Sequence, residues 1–207
     1  MDIVCSDLEG VFVPEIWINV AERTGIAELR LTTRDIADYD VLMAQRLDLL
    51  ERHGLGLPDI QAVIRTMDPL PGALEFLDWL RPTAPLLMVS DTFAEFAGPL
   101  MRKLGHPTLL CNRLAVAPDG TIERHRMRQT NGKKRVAEAM RSLNYTVIGI
   151  GDSYNDIAML HAADHGILYR PPKNVRTEHP GLPVASGFEE LRHLLEAIFS
   201  GTGGPHR

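Results

Sequence analysis

Two carboxylates stand on alternate residues near the start of the chain. Asp7 and Glu9 follow the apolar run Ile3-Val4-Cys5, which is typical of a buried strand. Side chains alternate along extended backbone, so the two carboxylates need not compete for one position. One of them can act as a nucleophile while the other transfers a leaving-group proton. The pair therefore predicts a site in which one carboxylate attacks the substrate and the other transfers a proton in the same reaction.

Three further polar sites follow along the chain. Ser-Asp-Thr at positions 90–92 offers a hydroxyl and backbone N–H groups that could hold phosphate oxygens. Lys133 or Lys134, at the predicted start of a helix, offers a cation for phosphoryl charge. Acidic and amide side chains then cluster between Gly151 and Asp156. The candidates at these three sites are Ser90, Asp91, Thr92, Lys133, Asp152, Asn155 and Asp156.

The four sites together match the needs of phosphoryl transfer. That reaction requires an in-line nucleophile, positive charge for the equatorial oxygens and a proton for the leaving oxygen. Asp7, a lysine and Glu9 can supply these three requirements. The acidic candidates offer only oxygen ligands, which favours Mg²⁺ over Zn²⁺. The eight histidines show no metal-ligand spacing.

The elements that must position these residues alternate along the chain. Short apolar runs at 3–5, 86–89, 147–150 and 166–169 each end at a polar residue, and helical patterns separate them. Such alternation predicts an α/β fold with a doubly wound, mostly parallel sheet. Ligands bind at the carboxyl ends of the strands in these sheets, where the candidate residues lie.

Residues 14–70 interrupt the alternation with three helical patterns. The first follows Pro14, the second runs from about Tyr39 to Arg52, and the third follows Pro58. We therefore predict a catalytic core at 1–13 and 71–200, with a small helical cap at 14–70 inserted after the first strand. A hairpin is expected around Asp119-Gly120, and residues 201–207 are predicted to be a disordered tail.

Composition excludes several classes of partner. A formal charge of -5 argues against nucleic acid and gives no reason to expect attachment to anionic lipid. No apolar run approaches transmembrane length, and the N-terminus lacks the pattern of a signal peptide. Two cysteines outside any CxxC pair indicate a reduced, cytoplasmic protein. A small-molecule substrate is therefore expected, and a homodimer is possible.

The ordered set of motifs resembles the haloacid-dehalogenase (HAD) phosphatase superfamily over nearly the whole chain. Within it the sequence looks like the phosphoserine phosphatases, whose helical cap is inserted at the same place. It is most similar to the bifunctional phosphoserine phosphatase/phosphoserine:homoserine phosphotransferases, which similarly combine Asp-x-Glu, Ser-Asp-Thr and Gly-Asp-Ser-Tyr-Asn-Asp. The wider superfamily usually has Asp where this sequence has Glu9, and that extra methylene shifts the point of proton transfer.

The resemblance implies a role for each motif residue. Asp7 would be the nucleophile and Glu9 the general acid and base. Mg²⁺ would be held by Asp7, the backbone carbonyl of Glu9, Asp152 and waters. Residues of the other motifs would bind the phosphoryl group or support the metal shell: Ser90, Asp91, Thr92, Lys133, Asn155 and Asp156. Glu15 and Arg46 match the positions that bind the substrate amine and carboxylate in phosphoserine phosphatases.

Several alternatives stay open at this point. Lys134 could replace Lys133, and Asp156 could be a helix N-cap. Arg46 could lie on a solvated helix face, and Glu15 could be an ordinary acid in a first helical turn. The enzyme could act on another small phosphorylated metabolite. A phospho-receiver module, which is also doubly wound, is a third reading that does not explain the inserted helices.

Overall fold

The computed structural model describes residues 1–32, 35–36 and 38–201. Within these residues the strands form one seven-stranded sheet with the order β4-β3-β2-β1-β5-β6-β7, in which only β4 runs antiparallel to its neighbour. The strands are β1 Asp2–Ser6, β2 Leu86–Phe93, β3 Thr108–Val116, β4 Ile122–Arg126, β5 Thr146–Gly151, β6 His165–Tyr169 and β7 Val184–Ala185. The four predicted strands are confirmed.

Helices connect the strands and cover the sheet. They are α1 Ile16–Thr24, α2 Tyr39–Arg52, α3 Leu57–Thr66, α4 Ala73–Leu80, α5 Ala94–Lys103, α6 Gly132–Ser142, α7 Ile157–Ala162, α8 Lys173–Glu178 and α9 Phe188–Phe199. Single 3₁₀ turns occur at Ala27–Arg30 and Tyr154–Asp156. None of the helices in the described ranges is long and apolar enough to cross a membrane.

Both faces of the sheet are buried, as the continuous apolar runs predict. Val4 and Ile148 belong to one hydrophobic cluster with residues of α4, α5 and α9. Their neighbours Cys5 and Val147 belong to a second cluster with residues of α6 and α7. Successive side chains of a strand point to opposite faces, so this division shows helices on both sides. The predicted doubly wound α/β fold is confirmed.

The helical segment between β1 and α4 packs into the first cluster. Ile16 of α1 and Ile60 of α3 are buried together with Phe96 of α5. The N-terminus of α2 is capped by Asp38, whose carboxylate accepts the N–H groups of Asp40 and Val41. The division into a core at 1–13 and 71–200 and a cap at 14–70 stays a prediction. Of the predicted tail, Gly201 lies in a turn, and 202–207 lie outside the described residues.

The predicted hairpin is confirmed between β3 and β4. The turn contains Gly120, whose φ of 93° favours glycine, and the Asp119 carboxylate accepts the N–H of Thr121. The carbonyl of Gly120 accepts the N–H of Leu57 at 2.8 Å. The tip of the hairpin therefore contacts the start of α3.

Candidate active site

The candidate residues meet because three adjacent strands are parallel. β1 lies between β2 and β5, so the carboxyl ends of all three reach the same edge of the sheet. Asp7 directly follows β1, residues 90–92 lie near the end of β2, and Asp152 directly follows β5. These positions bring side chains that are up to 145 residues apart (152 minus 7) into one site.

Lys133 forms the centre of a buried ionic cluster. Its Nζ lies 2.8 Å from Oδ2 of Asp7, 2.7 Å from Oδ1 of Asp156 and 3.9 Å from Oδ2 of Asp91. Burial opposes its charge, but these carboxylates hold its pKa well above the ordinary value. Lys134 instead lies on the exposed side of α6, 3.5 Å from Glu138. Of the two candidate lysines, the structure places Lys133 at the site.

Asp156 both caps a turn and contacts the lysine. One oxygen accepts the N–H groups of Asp152 and Ser153 at 2.9 and 3.1 Å, and the other pairs with Lys133. The side chain is fully buried. The helix-cap reading is therefore part of its structural role, since the same carboxylate also fixes Lys133 and the loop after β5.

The Asp7 carboxylate is held in place and poorly solvated. Oδ1 accepts the N–H of Leu8 at 2.8 Å, while Oδ2 faces Lys133. Burial and the nearby carboxylates of Asp156 and Asp152 raise the pKa of Asp7, against the opposing effect of Lys133. A second positive charge would therefore stabilise the ionised form, which is the nucleophilic one.

The residues around Asp7 fit a hard divalent cation. Carboxylate oxygens of Asp7, Asp152 and Asp156 lie within 4.8 Å of one another. Oδ1 of Asp152 is buried without a hydrogen-bond partner among the described residues, whereas both Asp156 oxygens already accept hydrogen bonds. Burial, with Asp156 second, raises the pKa of Asp152 to about 7. The donors are all oxygen, which fits Mg²⁺.

Glu9 faces the start of the helical segment. Its Oε2 accepts the N–H of Ile16, the first residue of α1, at 2.8 Å. Burial raises the pKa of Glu9, and hydrogen bonds from Ile16 and the Thr92 side chain partly oppose that rise. A raised pKa suits a group that must donate a proton. Gly10 is required next to it, because a Cβ there would lie 2.5 Å from the Asp152 side chain.

Arg46 and Glu15 line the cavity that contains Asp7 and Lys133. Arg46 stacks over the ring of Trp17 at 4.5 Å and donates from Nη2 to the carbonyl of Leu31 at 2.7 Å. Its Nε is buried without a partner in the described part of the chain. Burial lowers the pKa of Arg46 to about 10 and, with Glu9 second, raises that of Glu15 to about 7. Arg46 is 6% exposed, so it does not lie on a solvated face.

The Ser-Asp-Thr segment forms another wall. The Ser90 hydroxyl accepts the N–H of Thr92 at 3.2 Å, and both residues are buried. Asn155 donates from Nδ2 to Oδ2 of Asp91 at 3.1 Å. The Tyr39 hydroxyl donates to the backbone carbonyl of Asp91 at 3.2 Å. Asp91 therefore ties the end of β2 both to the loop after β5 and to α2.

One cavity of about 340 Å³ brings these groups together. The sequence-predicted residues that line it are Asp7, Glu9, Glu15, Arg46, Ser90, Asp91, Thr92, Lys133, Asp152 and Asn155. Asp156 lies behind this lining. Sequence reasoning did not identify Trp17, which lines the cavity and carries Arg46 over its ring. The sequence signal that could have identified Trp17 as a site residue is its position two residues after Glu15.

Comparisons with known proteins identify the family of the chain. The sequence model of the haloacid dehalogenase-like hydrolases matches residues 16–161. A phosphoserine phosphatase of Pseudomonas syringae pv. tomato is 55% identical over 192 residues, which cover 93% of this chain and 81% of that protein. Phosphoserine phosphatase ThrH of Pseudomonas aeruginosa is 53% identical over 198 residues, covering 95% and 97%.

Solved structures show the same fold. A phosphoserine phosphatase in its apo form has a TM-score of 0.76 at 20% identity, covering 94% of this chain and 98% of that one. A phospho-aspartyl intermediate analogue of phosphoserine phosphatase has a TM-score of 0.75 at 20% identity, covering 94% and 97%.

Proposed function

The chain belongs to the haloacid dehalogenase-like hydrolase family, and we propose that it is a Mg²⁺-dependent phosphoserine phosphatase acting through an aspartyl-phosphate on Asp7. We also propose that homoserine can replace water as the phosphoryl acceptor. Membership of a hydrolase family sets aside the receiver-module reading. A cytoplasmic location and a homodimer remain predictions.

One observation carries the proposal. The buried Asp7–Lys133 pair, the buried Arg46 side chain and Glu15 line the same cavity of about 340 Å³. The nucleophile and the lysine suit a phosphoryl group. The guanidinium of Arg46 and the carboxylate of Glu15 suit the carboxylate and amine of an amino acid. O-Phosphoserine carries all three groups on a small skeleton.

In the first half-reaction, a carboxylate oxygen of Asp7 attacks phosphorus. The bond from phosphorus to the serine oxygen breaks as the new bond to Asp7 forms, and Glu9 donates a proton to the departing oxygen. Lys133 and the Ser90 hydroxyl balance the charge on the transferred group. The products are serine and an acyl phosphate on Asp7.

In the second half-reaction, the hydroxyl of an alcohol or of water attacks phosphorus, and the bond from phosphorus to the Asp7 oxygen breaks. Glu9, now ionised, accepts the proton of the attacking hydroxyl, and the carboxylate of Asp7 is regenerated. Homoserine has the same amine and carboxylate as serine, so Glu15 and Arg46 could hold it in place. An oriented acceptor can outcompete water because of its high effective concentration.

Mg²⁺ would be held by Asp7, the Glu9 backbone carbonyl and Asp152, with Asp156 fixing the loop that carries Asp152. When bound, the cation supplies positive charge for the phosphoryl oxygens and for the buried carboxylates. We expect chelator to abolish turnover and Mg²⁺ to restore it, and Asp152→Asn to raise the Mg²⁺ concentration at half-maximal rate. Full turnover in a preparation with negligible metal content would exclude the cofactor.

Product analysis tests the proposed reaction. The protein is incubated with phosphoserine and Mg²⁺ while homoserine is titrated, and serine, free phosphate and phosphohomoserine are measured together. We expect the serine released to equal the sum of free phosphate and phosphohomoserine. The share of phosphohomoserine should rise as the homoserine concentration rises. If free phosphate equals serine at every homoserine concentration, homoserine is not an acceptor and the enzyme is a hydrolase. If other phosphomonoesters are turned over but phosphoserine releases no serine, the enzyme is a phosphatase for another metabolite.

A further inference from the structure

A hydrogen bond joins the hairpin to the start of α2. Nε2 of His125 on β4 lies 2.7 Å from Oδ1 of Asp40, in the first turn of α2. The ionised carboxylate can only accept, so the imidazole N–H donates. The His125 side chain is 16% exposed and that of Asp40 is 79% exposed. The two residues are 85 positions apart, so the contact links separate parts of the chain.

The same histidine also touches the neighbour of Asp40. The ring of Tyr39 meets the His125 ring edge-on, with centroids 5.9 Å apart and an angle of 82°. On its other side, the Tyr39 hydroxyl donates to the carbonyl of Asp91. A continuous set of contacts therefore runs from β4 through Tyr39 to the Ser-Asp-Thr wall of the substrate cavity.

Tyr39 lies on the boundary between two cavities. It lines the substrate cavity and also an outer cavity of about 570 Å³, whose lining includes Asp40, Met127 and Gln129. Asp91 and Asn155 line both cavities as well, and the hydrogen bond between them forms part of the same boundary. Tyr39 therefore forms part of the wall that the two cavities share.

The packing between α2 and the hairpin is interrupted along its length. A cavity of about 520 Å³ separates them, lined by Leu47, Leu50 and Leu55 on one side and by Ile122 on the other. The hydrogen bond from the Leu57 N–H to the Gly120 carbonyl joins the hairpin to the start of α3. His125 also lines the cavity, and its partner Asp40 lies in the first turn of α2 next to Tyr39, so the pair is well placed to fix Tyr39.

We propose that His125 is a positioning residue that, through Asp40, holds Tyr39 across the boundary between the two cavities and so restricts the site to small phosphomonoesters. The choice of substrates that test this role rests on the proposed function. The contacts that fix the start of α2 do not depend on it. His125 does not touch the reacting atoms and takes no part in proton transfer.

The first test measures the start of α2 directly. Amide hydrogen exchange is compared in the wild type, His125→Ala, Asp40→Ala and the double variant, with His53→Ala as a control at the exposed opposite end of α2. We expect the rate of amide exchange at the first turns of α2 to rise about fivefold in all three variants of the His125–Asp40 pair. This is the increase expected from the loss of one partly exposed polar contact. The effects of the two single variants should not add in the double variant, because both remove the hydrogen bond between His125 and Asp40.

The second test measures selectivity. O-Phosphotyrosine keeps the amine and carboxylate of phosphoserine but is bulkier. The ratio of kcat/KM for phosphoserine to that for phosphotyrosine should fall about fivefold in His125→Ala and Asp40→Ala. It should stay unchanged in His53→Ala. His125→Gln retains a side-chain N–H that can donate to Asp40, and it should restore much of the wild-type ratio.

The two tests separate the failure of this role from the failure of the proposed function. Unchanged exchange at α2 would overturn the positioning role, whatever the substrate is. Faster exchange with an unchanged substrate ratio would also overturn it, since Tyr39 would then not control the site. If the wild type releases no serine from phosphoserine, the proposed function fails while the exchange result still decides whether His125 fixes α2.

Discussion

The protein balances charge differently in two parts of the substrate cavity: the phosphoryl end, formed by Asp7 and Lys133, and the recognition end, formed by Arg46 and Glu15. At the phosphoryl end, Lys133 contacts carboxylates of Asp7 and Asp156 within 2.8 Å, so its charge is balanced by the protein itself. At the recognition end, Arg46 is buried just as deeply, but it pairs with no carboxylate among the described residues. Its partners are a backbone carbonyl, a thioether and the ring of Trp17.

The difference follows from what each end must do. A buried charge is costly unless it is paired, and a missing partner must come from a ligand. The phosphoryl end needs the same geometry in both half-reactions, so pairing within the protein keeps Asp7 and Lys133 in place. The recognition end must release its ligand. Arg46 forms no close ion pair among the described residues, so a bound substrate carboxylate would supply the partner that it lacks.

The largest effect is expected from removing the nucleophile. Asp7→Asn should lower turnover by at least about 10⁴-fold, because an amide does not attack phosphorus. It should lower the thermal midpoint of the metal-free protein less than Asp156→Asn does, since burial already disfavours the Asp7 charge. Both variants leave Lys133 with one fewer buried carboxylate, but Asp156→Asn also disturbs the acceptor of the Asp152 and Ser153 N–H groups and should cost about 3 kcal/mol of stability. Turnover by a homogeneous Asp7→Asn preparation would remove Asp7 from its role.

The next largest effect concerns the proton donor. Glu9→Gln should slow phosphoenzyme formation from phosphoserine by about 10³-fold, because the serine alkoxide leaves poorly without a proton. With p-nitrophenyl phosphate the loss should be much smaller, since that leaving group needs little protonation. Single-turnover rates with both substrates measure the difference. Equal losses would mean that Glu9 is not the acid.

A smaller and more selective effect is expected at the recognition end. Arg46→Ala should raise the KM for phosphoserine by about 30-fold, the loss of one charge-assisted interaction, and barely change that for p-nitrophenyl phosphate. Arg52→Ala is the matched control, because Arg52 lies on the same helix but pairs with Asp48 at the surface. An equal rise for both substrates would make Arg46 structural, and the contrast between the two ends would fail.

The smallest effect is a pH dependence. Glu15 must be ionised to bind an amine, and its pKa in the free protein is raised to about 7. The KM for phosphoserine should therefore fall about tenfold between about pH 6 and about pH 8 beyond any change seen with p-nitrophenyl phosphate, which has no amine. Glu15→Gln should remove this extra dependence. If it persists in that variant, another group binds the amine.

The positions of these strands and the order of the four polar sites could be predicted because they depend on the local pattern of apolar and polar residues. Apolar runs that end in polar residues mark β1, β2, β5 and β6, and parallel pairing brings their ends together. The pattern does not predict every helix face. Leu74, Leu77 and Leu80 share one helical spacing in the sequence, yet Leu74 is 42% exposed, because α4 buries Ala73 and Phe76 instead.

Other features depend on contacts between distant parts of the chain. Lys133 and Lys134 are adjacent in sequence, and only the packing of α6 against the sheet separates their environments. Trp17 has the sequence pattern of an ordinary apolar helix residue, and its contact with Arg46 depends on how α1 and α2 meet. The pairing of His125 with Asp40 likewise leaves no local pattern. Such contacts follow from tertiary structure and not from periodicity.

The most direct test is to identify the residue that carries phosphate. The protein is mixed with phosphoserine and Mg²⁺, quenched during turnover and treated with borohydride, which reduces an acyl phosphate of aspartate to homoserine. Peptide mass spectrometry should find homoserine at position 7, only when substrate and Mg²⁺ are present and not in Asp7→Asn. Serine release without any change at position 7, or reduction at another carboxylate, would contradict the role of Asp7 as the phosphoryl carrier.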